Sequence, residues 1–130
     1  YINKENKIKR TSQFNFVKNM KISMFLGGSP PHQSTLFGNG ARKLINRYSS
    51  KYRIAGDLDY FCKISKFKKI KIKLINKYSV LMLNEGVSQK ENSLKLKEVL
   101  NIYKEQYGIA FFIPFIIRYL KRIYSILKKS

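Results

Sequence analysis

Five consecutive turn-forming residues, Gly27 to Pro31, constrain the fold of this chain more than any other feature, because such a run must form a loop. Before it, residues 20–26 are a short apolar stretch, and residues 1–19 are polar, basic and weakly periodic, which predicts a variable or poorly ordered beginning. After the loop we expect a short strand over His32 to Phe37 and a short helix over Ala41 to Tyr48. The first half is therefore predicted to consist of short elements.

Length and composition exclude several classes of protein. The 130 residues have the size of one domain, and 44% of them are hydrophobic, enough to form a core. A single cysteine, Cys62, excludes an internal disulfide framework and fits a reducing cytoplasm, and with one histidine it excludes a Cys/His zinc site. The longest apolar run, Ile109 to Ile117, is far shorter than the roughly 20 residues that span a bilayer.

The formal net charge of +20 indicates attraction to polyanions, whether nucleic acid, anionic lipid or diphosphate substrates. A second explanation is composition. The chain is rich in Lys, Ile and Asn, as an AT-rich genome produces, so part of the charge can be codon drift on solvated faces. Charge alone therefore does not decide the function.

Periodicity predicts helices and strands in the second half. Leu58, Phe61 and Cys62 follow i, i+3, i+4 spacing, which predicts an amphipathic helix from Asp57 to about Phe67. Apolar residues at every second position predict one strand over Ile70 to Leu74 and a second over Tyr78 to Met82. The two strands could form a hairpin.

A longer helix is predicted to begin at the capping-box pattern Ser88 to Glu91 and to stop at Gly108. Its apolar face comprises Leu96, Val99, Leu100, Tyr103 and Tyr107. Beyond it, a basic amphipathic helix is expected over Phe111 to Lys129, with Pro114 in its first turns. Its apolar sector is predicted to lie on a membrane surface, and the alternative is that this sector packs on the globular body.

The chain has only two aspartates, Asp57 and Asp59, both at the predicted start of a helix. The structural interpretation is that they cap the helix and complement its dipole. The functional interpretation is a general base at the mouth of a site, while a D-x-D pair alone is a weak indication of a metal. The single histidine, His32, could bind an anion or position a substrate hydroxyl, or it could be a structural hydrogen-bonding group.

The order of these features resembles the second half of a family 2 glycosyltransferase of the GT-A type, of the kind that assembles bacterial surface polysaccharides. The resemblance covers roughly Ser29 to Gly108. The matching motifs are Pro31-His32-Gln33-Ser34, Arg42-Lys43-Leu44, Ile54-Ala55-Gly56-Asp57-Leu58-Asp59-Tyr60, Tyr78 to Leu83, Glu85-Gly86-Val87-Ser88, and Glu91 or Glu98. This chain departs from the family's pattern at Gly56, Lys63 and Glu85, which leaves the acceptor undefined.

The resemblance implies an α/β fold, the acceptor-side half of a GT-A (nucleotide-diphospho-sugar transferase-like) domain with a C-terminal amphipathic helix. Its parts would be residues 1–19 as the variable beginning, 20–108 as the glycosyltransferase portion and 109–130 as the membrane-surface helix. Asp57 matches the catalytic base of an inverting transfer. The implied substrate-binding residues are His32, Gln33, Asp59 and Ser88, with Asp59 more a supporting than a catalytic group.

The same resemblance implies where the donor site and its metal ligands lie. Such enzymes bind the nucleotide-sugar donor, and the Mg²⁺ or Mn²⁺ that holds its diphosphate, through a D-x-D in their N-terminal half, and this chain has no aspartate before Asp57. We therefore expect the donor site and metal ligands to be missing from this chain. The acceptor would be a saccharide or a lipid-linked saccharide, and the enzyme would be cytoplasmic and peripheral at the inner face of the cell membrane.

The alternative function is a non-enzymatic basic module that binds nucleic acid or anionic lipid. Its support is the charge, together with tyrosines and phenylalanines among lysines that could stack on bases. Against it, no nucleic-acid-binding motif is present and the basic residues are spread along the chain, so no specific nucleic-acid partner is predicted.

Overall fold

The computed structural model describes residues 19–45, 47–75, 80 and 91–127. In these ranges the regular structure is helical and contains no strand. The helices are α1 (Met20–Phe25), α2 (Asn39–Leu44), α3 (Gly56–Ile64), α4 (Asn92–Tyr107) and α5 (Phe112–Leu127), with short 3-10 helices at His32–Ser34 and Gly108–Phe111. The α/β half of a GT-A fold stays a prediction.

Helix α3 is the centre of the molecule. Leu58 and Phe61 on one side of the helix and Tyr60 on the other are almost fully buried, so other parts of the chain cover both sides. The sequence predicts a single apolar face, but a helix enclosed on all sides buries nearly every residue. It begins with Asp57 and Asp59 in its first turn and has Lys63 in its last, an arrangement that complements the helix dipole.

Helix α4 packs against α3 and supplies the other half of the core. Its fully buried residues are Val99, Ile102 and Tyr103, whereas Leu96, predicted to face the core, is exposed. The predicted stop is confirmed, since the helix ends at Tyr107 and Gly108 follows with a positive φ of 56°. Of the predicted capping box only Glu91 lies within the described residues, where it occupies the N-cap position without a side-chain capping bond.

Helix α5 folds back along α4 and also contacts α1. Its aromatic side chains Phe115 and Tyr119, with the preceding Phe111, pack on the core. A second set of apolar side chains on the same helix faces outward and is exposed: Phe112, Ile116, Leu120, Ile123 and Leu127. The predicted helix is confirmed. One portion of its apolar sector packs on the core and another is exposed, and attachment of the exposed portion to a membrane surface stays a prediction.

The loop after α1 is fixed against α5. Gly27 has a φ of 72°, and a Cβ placed on it would lie 2.7 Å from the backbone nitrogen of Arg118. The carbonyl oxygens of Gly27 and Leu26 accept hydrogen bonds from Arg118 Nη1 at 3.2 Å and Lys121 Nζ at 2.8 Å. This close approach explains why a glycine is needed where α1 ends.

The predicted strand over His32 to Phe37 is wrong, because His32–Ser34 forms a 3-10 helix. The Pro31 carbonyl oxygen accepts bonds from the Ser34 amide at 3.2 Å and the Thr35 hydroxyl at 2.8 Å, which curls the chain. Residues 71–75, most of the predicted strand Ile70 to Leu74, form no regular structure and are exposed. Its predicted partner Tyr78 to Met82 lies outside the described residues, apart from Val80.

Candidate active site

A buried carboxylate, that of Glu98, fixes the turn that leads into α3. Its oxygens accept hydrogen bonds from the main-chain amides of Arg53 at 2.8 Å, Ile54 at 2.9 Å and Ala55 at 2.7 Å. Burial by itself raises the pKa of Glu98, but the three amide bonds outweigh it and hold the pKa below its ordinary value. Helix α4 thereby determines where α3 begins.

Asp57 stands directly after this fixed turn, in the first turn of α3. One oxygen of its half-buried carboxylate accepts the Leu58 amide at 2.8 Å. The N-cap position itself belongs to Ala55, which makes no side-chain capping bond. Asp57 therefore acts as a first-turn acid, with its carboxylate at the edge of the core rather than inside it.

Lys95 lies three residues before Glu98 on α4, and Arg118 and Arg122 are one turn apart on α5. Burial lowers the pKa of Lys95, Arg122 and Arg118 lower it further, and the Asp57 carboxylate acts in the opposite direction. The Lys95 ammonium therefore interacts with both arginines and with the Asp57 carboxylate.

Aromatic rings connect His32 to this helix start. The His32 ring meets the Tyr48 ring edge-on at 5.7 Å, and Tyr48 stacks on Tyr60 of α3 at 4.6 Å between centroids. Burial, then Tyr60 and then the Asp57 carboxylate raise the pKa of the Tyr48 hydroxyl. His32 is thus one ring away from the surroundings of Asp57, on an exposed surface that it shares with the neighbouring Gln33.

Asp59, unlike Asp57, points into the interior of the protein. Its carboxylate is fully buried and is bound by Lys63 Nζ at 2.6 Å and Gln106 Nε2 at 3.2 Å. These partners from the chain itself favour the supporting role over direct contact with a substrate. Because Asp59 faces the interior and Asp57 the surface, the pair does not fit a shared metal ion. No group of three metal-ligating side chains converges within the described ranges.

The structure brings together some of the predicted residues and adds others. His32 is linked through the Tyr48 ring to Tyr60 of α3, the helix that carries Asp57 in its first turn. Gln33 is exposed next to His32, Asp59 lies within the core, and Ser88 falls outside the described residues. Sequence reasoning named Glu98 only as one of two alternatives and missed Tyr48 and Lys95 as neighbours of Asp57. The sequence could have indicated Glu98, because this acid lies one helical turn before Ile102 on the apolar side of α4.

Comparisons of this chain with protein-family models, with curated proteins and with solved structures found no match. Among the described residues, no helix combines the length and apolar character that crossing a bilayer requires. Chemically, the region around Asp57 offers a carboxylate that can accept a proton, cations that can hold an anion, and an exposed aromatic surface that can contact a sugar ring.

Proposed function

We propose that this chain is the acceptor-side portion of an inverting glycosyltransferase in which Asp57 is the catalytic base. The observation that carries the proposal is the Asp57 carboxylate at the edge of the core, on a helix start that Glu98 fixes through three main-chain bonds. A base must be held still and remain accessible, and both conditions are met here. The exposed His32 and Tyr48 rings, which connect to Tyr60 of the same helix, support binding of a saccharide acceptor.

In the proposed reaction, Asp57 removes the proton from an acceptor hydroxyl as that oxygen attacks the anomeric carbon of the donor sugar. The bond from that carbon to the nucleotide diphosphate breaks on the opposite face, which inverts the configuration. The donor, and the Mg²⁺ or Mn²⁺ that accompanies it, would be bound by residues outside this sequence. The Asp57 and Asp59 pair does not fit the metal, so no step here passes through it.

The test is Asp57→Asn in the complete enzyme that this proposal requires. The amide keeps an oxygen for the Leu58 amide but cannot accept the proton, so turnover should fall by about 10² or more with nearly unchanged donor affinity. Glu105→Gln, which neutralises an exposed acid on α4, serves as the control and should leave turnover unchanged. Near-wild-type turnover of Asp57→Asn would contradict the proposal.

We further propose that α5 attaches the protein to an anionic membrane surface, at the inner face of the cell membrane if the first proposal holds. The support is the outward set Phe112, Ile116, Leu120, Ile123 and Leu127, bordered by Lys121 and Arg122. Exposed apolar side chains next to cations match a surface of acyl chains beneath anionic headgroups. This observation also supports the anionic-lipid form of the non-enzymatic alternative.

Vesicle co-sedimentation tests this attachment. Replacing Leu120, Ile123 and Leu127 together by serine should abolish binding to vesicles that contain phosphatidylglycerol, and high salt should weaken binding of the unchanged chain. The matched control replaces three exposed apolar residues elsewhere, Leu36, Leu74 and Ile75, by serine and should bind normally. Equal binding by both triple variants would rule out α5 as the attachment.

A further inference from the structure

We propose that the exposed rings of His32 and Tyr48 form a binding site for an anionic saccharide, that is, a sugar ring that carries a phosphate or carboxylate group. We call these two rings the aromatic corner. The choice of a saccharide rests on the proposed function, and the new element is that the acceptor bears a negative charge next to the bound ring.

The two rings of the aromatic corner stand nearly at a right angle. Their centroids are 5.7 Å apart and their planes meet at 78°. Tyr48 keeps 45% of its surface exposed, although its ring stacks on that of Tyr60 at 4.6 Å. The corner therefore presents an apolar ring surface beside polar imidazole nitrogens, which suits a sugar with its C–H groups and its hydroxyl groups.

Tyr60 holds the Tyr48 side of the corner in place. The Tyr60 hydroxyl donates to the Ile45 carbonyl oxygen at 3.1 Å, and its ring meets the Phe37 ring at 5.0 Å and 72°. Tyr60 itself is only 4% exposed, so the ring under Tyr48 is part of the core. The chain on both sides of α2 is thus tied to this ring. An aromatic surface that is already fixed loses little conformational entropy when a ligand packs on it.

The chain around the aromatic corner is strongly cationic. From residue 6 to residue 56 the sequence contains no Asp or Glu. Five cations fall within residues 42–53, namely Arg42, Lys43, Arg47, Lys51 and Arg53. Helix α4 supplies carboxylates to the last two, since Glu105 pairs with Lys51 and Glu91 with Arg53. Within the described ranges, no carboxylate pairs with the other three, which are all exposed.

This excess of positive charge selects the class of saccharide. Arg47 directly precedes Tyr48, and Arg42 and Lys43 belong to the helix that ends just before Ile45, so these cations make the potential around the corner positive. A neutral sugar would leave that charge without a counterpart. A phosphate or carboxylate group on the sugar would offset it and accept charge-assisted hydrogen bonds from the guanidinium groups.

NMR titration of the full chain at low salt tests the site with three matched ligands. Glucose 1-phosphate carries both the ring and the anion, glucose carries only the ring, and inorganic phosphate carries only the anion. Glucose 1-phosphate should bind at least about tenfold more tightly than either of the others and should shift the signals of His32 and Tyr48. Equal affinities for glucose 1-phosphate and inorganic phosphate would overturn the proposal, because the ring would then contribute nothing.

Variants locate the binding. Tyr48→Ala should weaken binding of glucose 1-phosphate about tenfold, and Tyr48→Phe, which keeps the ring, should retain it. Tyr124→Ala removes an even more exposed ring from α5 and should leave binding unchanged. Arg47→Gln should weaken binding, whereas Lys68→Gln, at another exposed cation, should not. Equal losses within either pair would overturn the proposal. Circular dichroism establishes that each variant is folded, and the comparison of the three ligands needs no variant.

Two further measurements separate this inference from a nucleotide site and from the proposed function. Adenosine monophosphate carries the same phosphate group with an aromatic base, and tighter binding of it than of glucose 1-phosphate would overturn the assignment to a saccharide. Asp57→Asn should still bind glucose 1-phosphate. Normal turnover of this variant with binding retained would contradict the proposed function alone. Lost turnover, with no binding of glucose 1-phosphate by the unchanged chain, would contradict the aromatic corner alone.

Discussion

At the scale of single residues, Glu98 joins two distant parts of the chain. Its carboxylate satisfies three amides that belong to no helix, and that of Ala55 would otherwise be buried without a partner. Removing it would leave those amides unpaired, which costs more than the net value of the bonds themselves. The geometry around Asp57 therefore depends on a side chain that takes no part in the proposed chemistry.

We expect Glu98→Gln to lower the free energy of unfolding at neutral pH by about 2 kcal/mol, because all three amides lose a charged acceptor and at least one of them meets an NH₂ group. The folded-state pKa of Glu98 is depressed, so its stabilisation is complete above the ordinary carboxyl value of 4.5 and is lost as pH falls through the lower folded-state value. Urea unfolding at pH 7 and below pH 4 should show the difference between wild type and variant shrinking at the lower pH.

Glu105→Gln is the control, since Glu105 is a more exposed acid on the same helix that pairs with Lys51. Its effect should stay below about 1 kcal/mol, as for other surface ion pairs. If the two variants unfolded alike, the turn before α3 would not depend on Glu98.

Sequence reasoning located the residues whose types are rare in this chain, and missed those defined by tertiary contacts. Asp57 and His32 stand out because acids and histidines are scarce, and in the structure two aromatic contacts link His32 to the helix that carries Asp57. Glu98 could not be assigned as the carboxylate under the turn, because its amide partners are more than 40 residues away. Spacing along one helix carries no information on such a partner.

At the scale of elements, the helices follow from local patterns better than the rest of the chain. The predicted helices at Asp57, before Gly108 and after Pro114 are present within the described residues, because i, i+3, i+4 spacing and a terminal glycine are local signals. The strand over His32 to Phe37 is wrong because hydrogen bonds to the Pro31 carbonyl curl the chain, an effect that alternation of residue types does not encode.

The junction of α1 and α5 gives a prediction at this scale. Gly27→Ala should lower the free energy of unfolding by about 2 kcal/mol, because the new methyl group would press against the Arg118 backbone and the backbone has a positive φ. Gly40→Ala, in a helix where an added methyl group meets nothing within 4 Å, should raise the free energy of unfolding by up to about 1 kcal/mol, because Ala is favoured over Gly in a helix. Thermal unfolding of both variants measures the difference. Equal losses would mean that α5 does not hold the loop closely.

At the scale of the whole molecule, the single cysteine reports on the integrity of the core. Cys62 is almost fully buried at the centre of α3, and burial raises the pKa of its thiol to about 12. The thiol should therefore react with an aromatic disulfide reagent at neutral pH only as fast as the protein opens, and at once in denaturant. Fast reaction in the folded protein would show that the helices around α3 separate readily.

The bonds between Glu98 and the turn at Arg53, Ile54 and Ala55 also have a kinetic consequence. Amide protons outside regular helices and strands ordinarily exchange with solvent quickly, because their bonds break in small local motions. These three are bound to a residue of a different helix, so we expect their bonds to break when α3 and α4 part. In deuterium exchange this irregular turn should be protected as strongly as the helical core, and its amides should lose protection together.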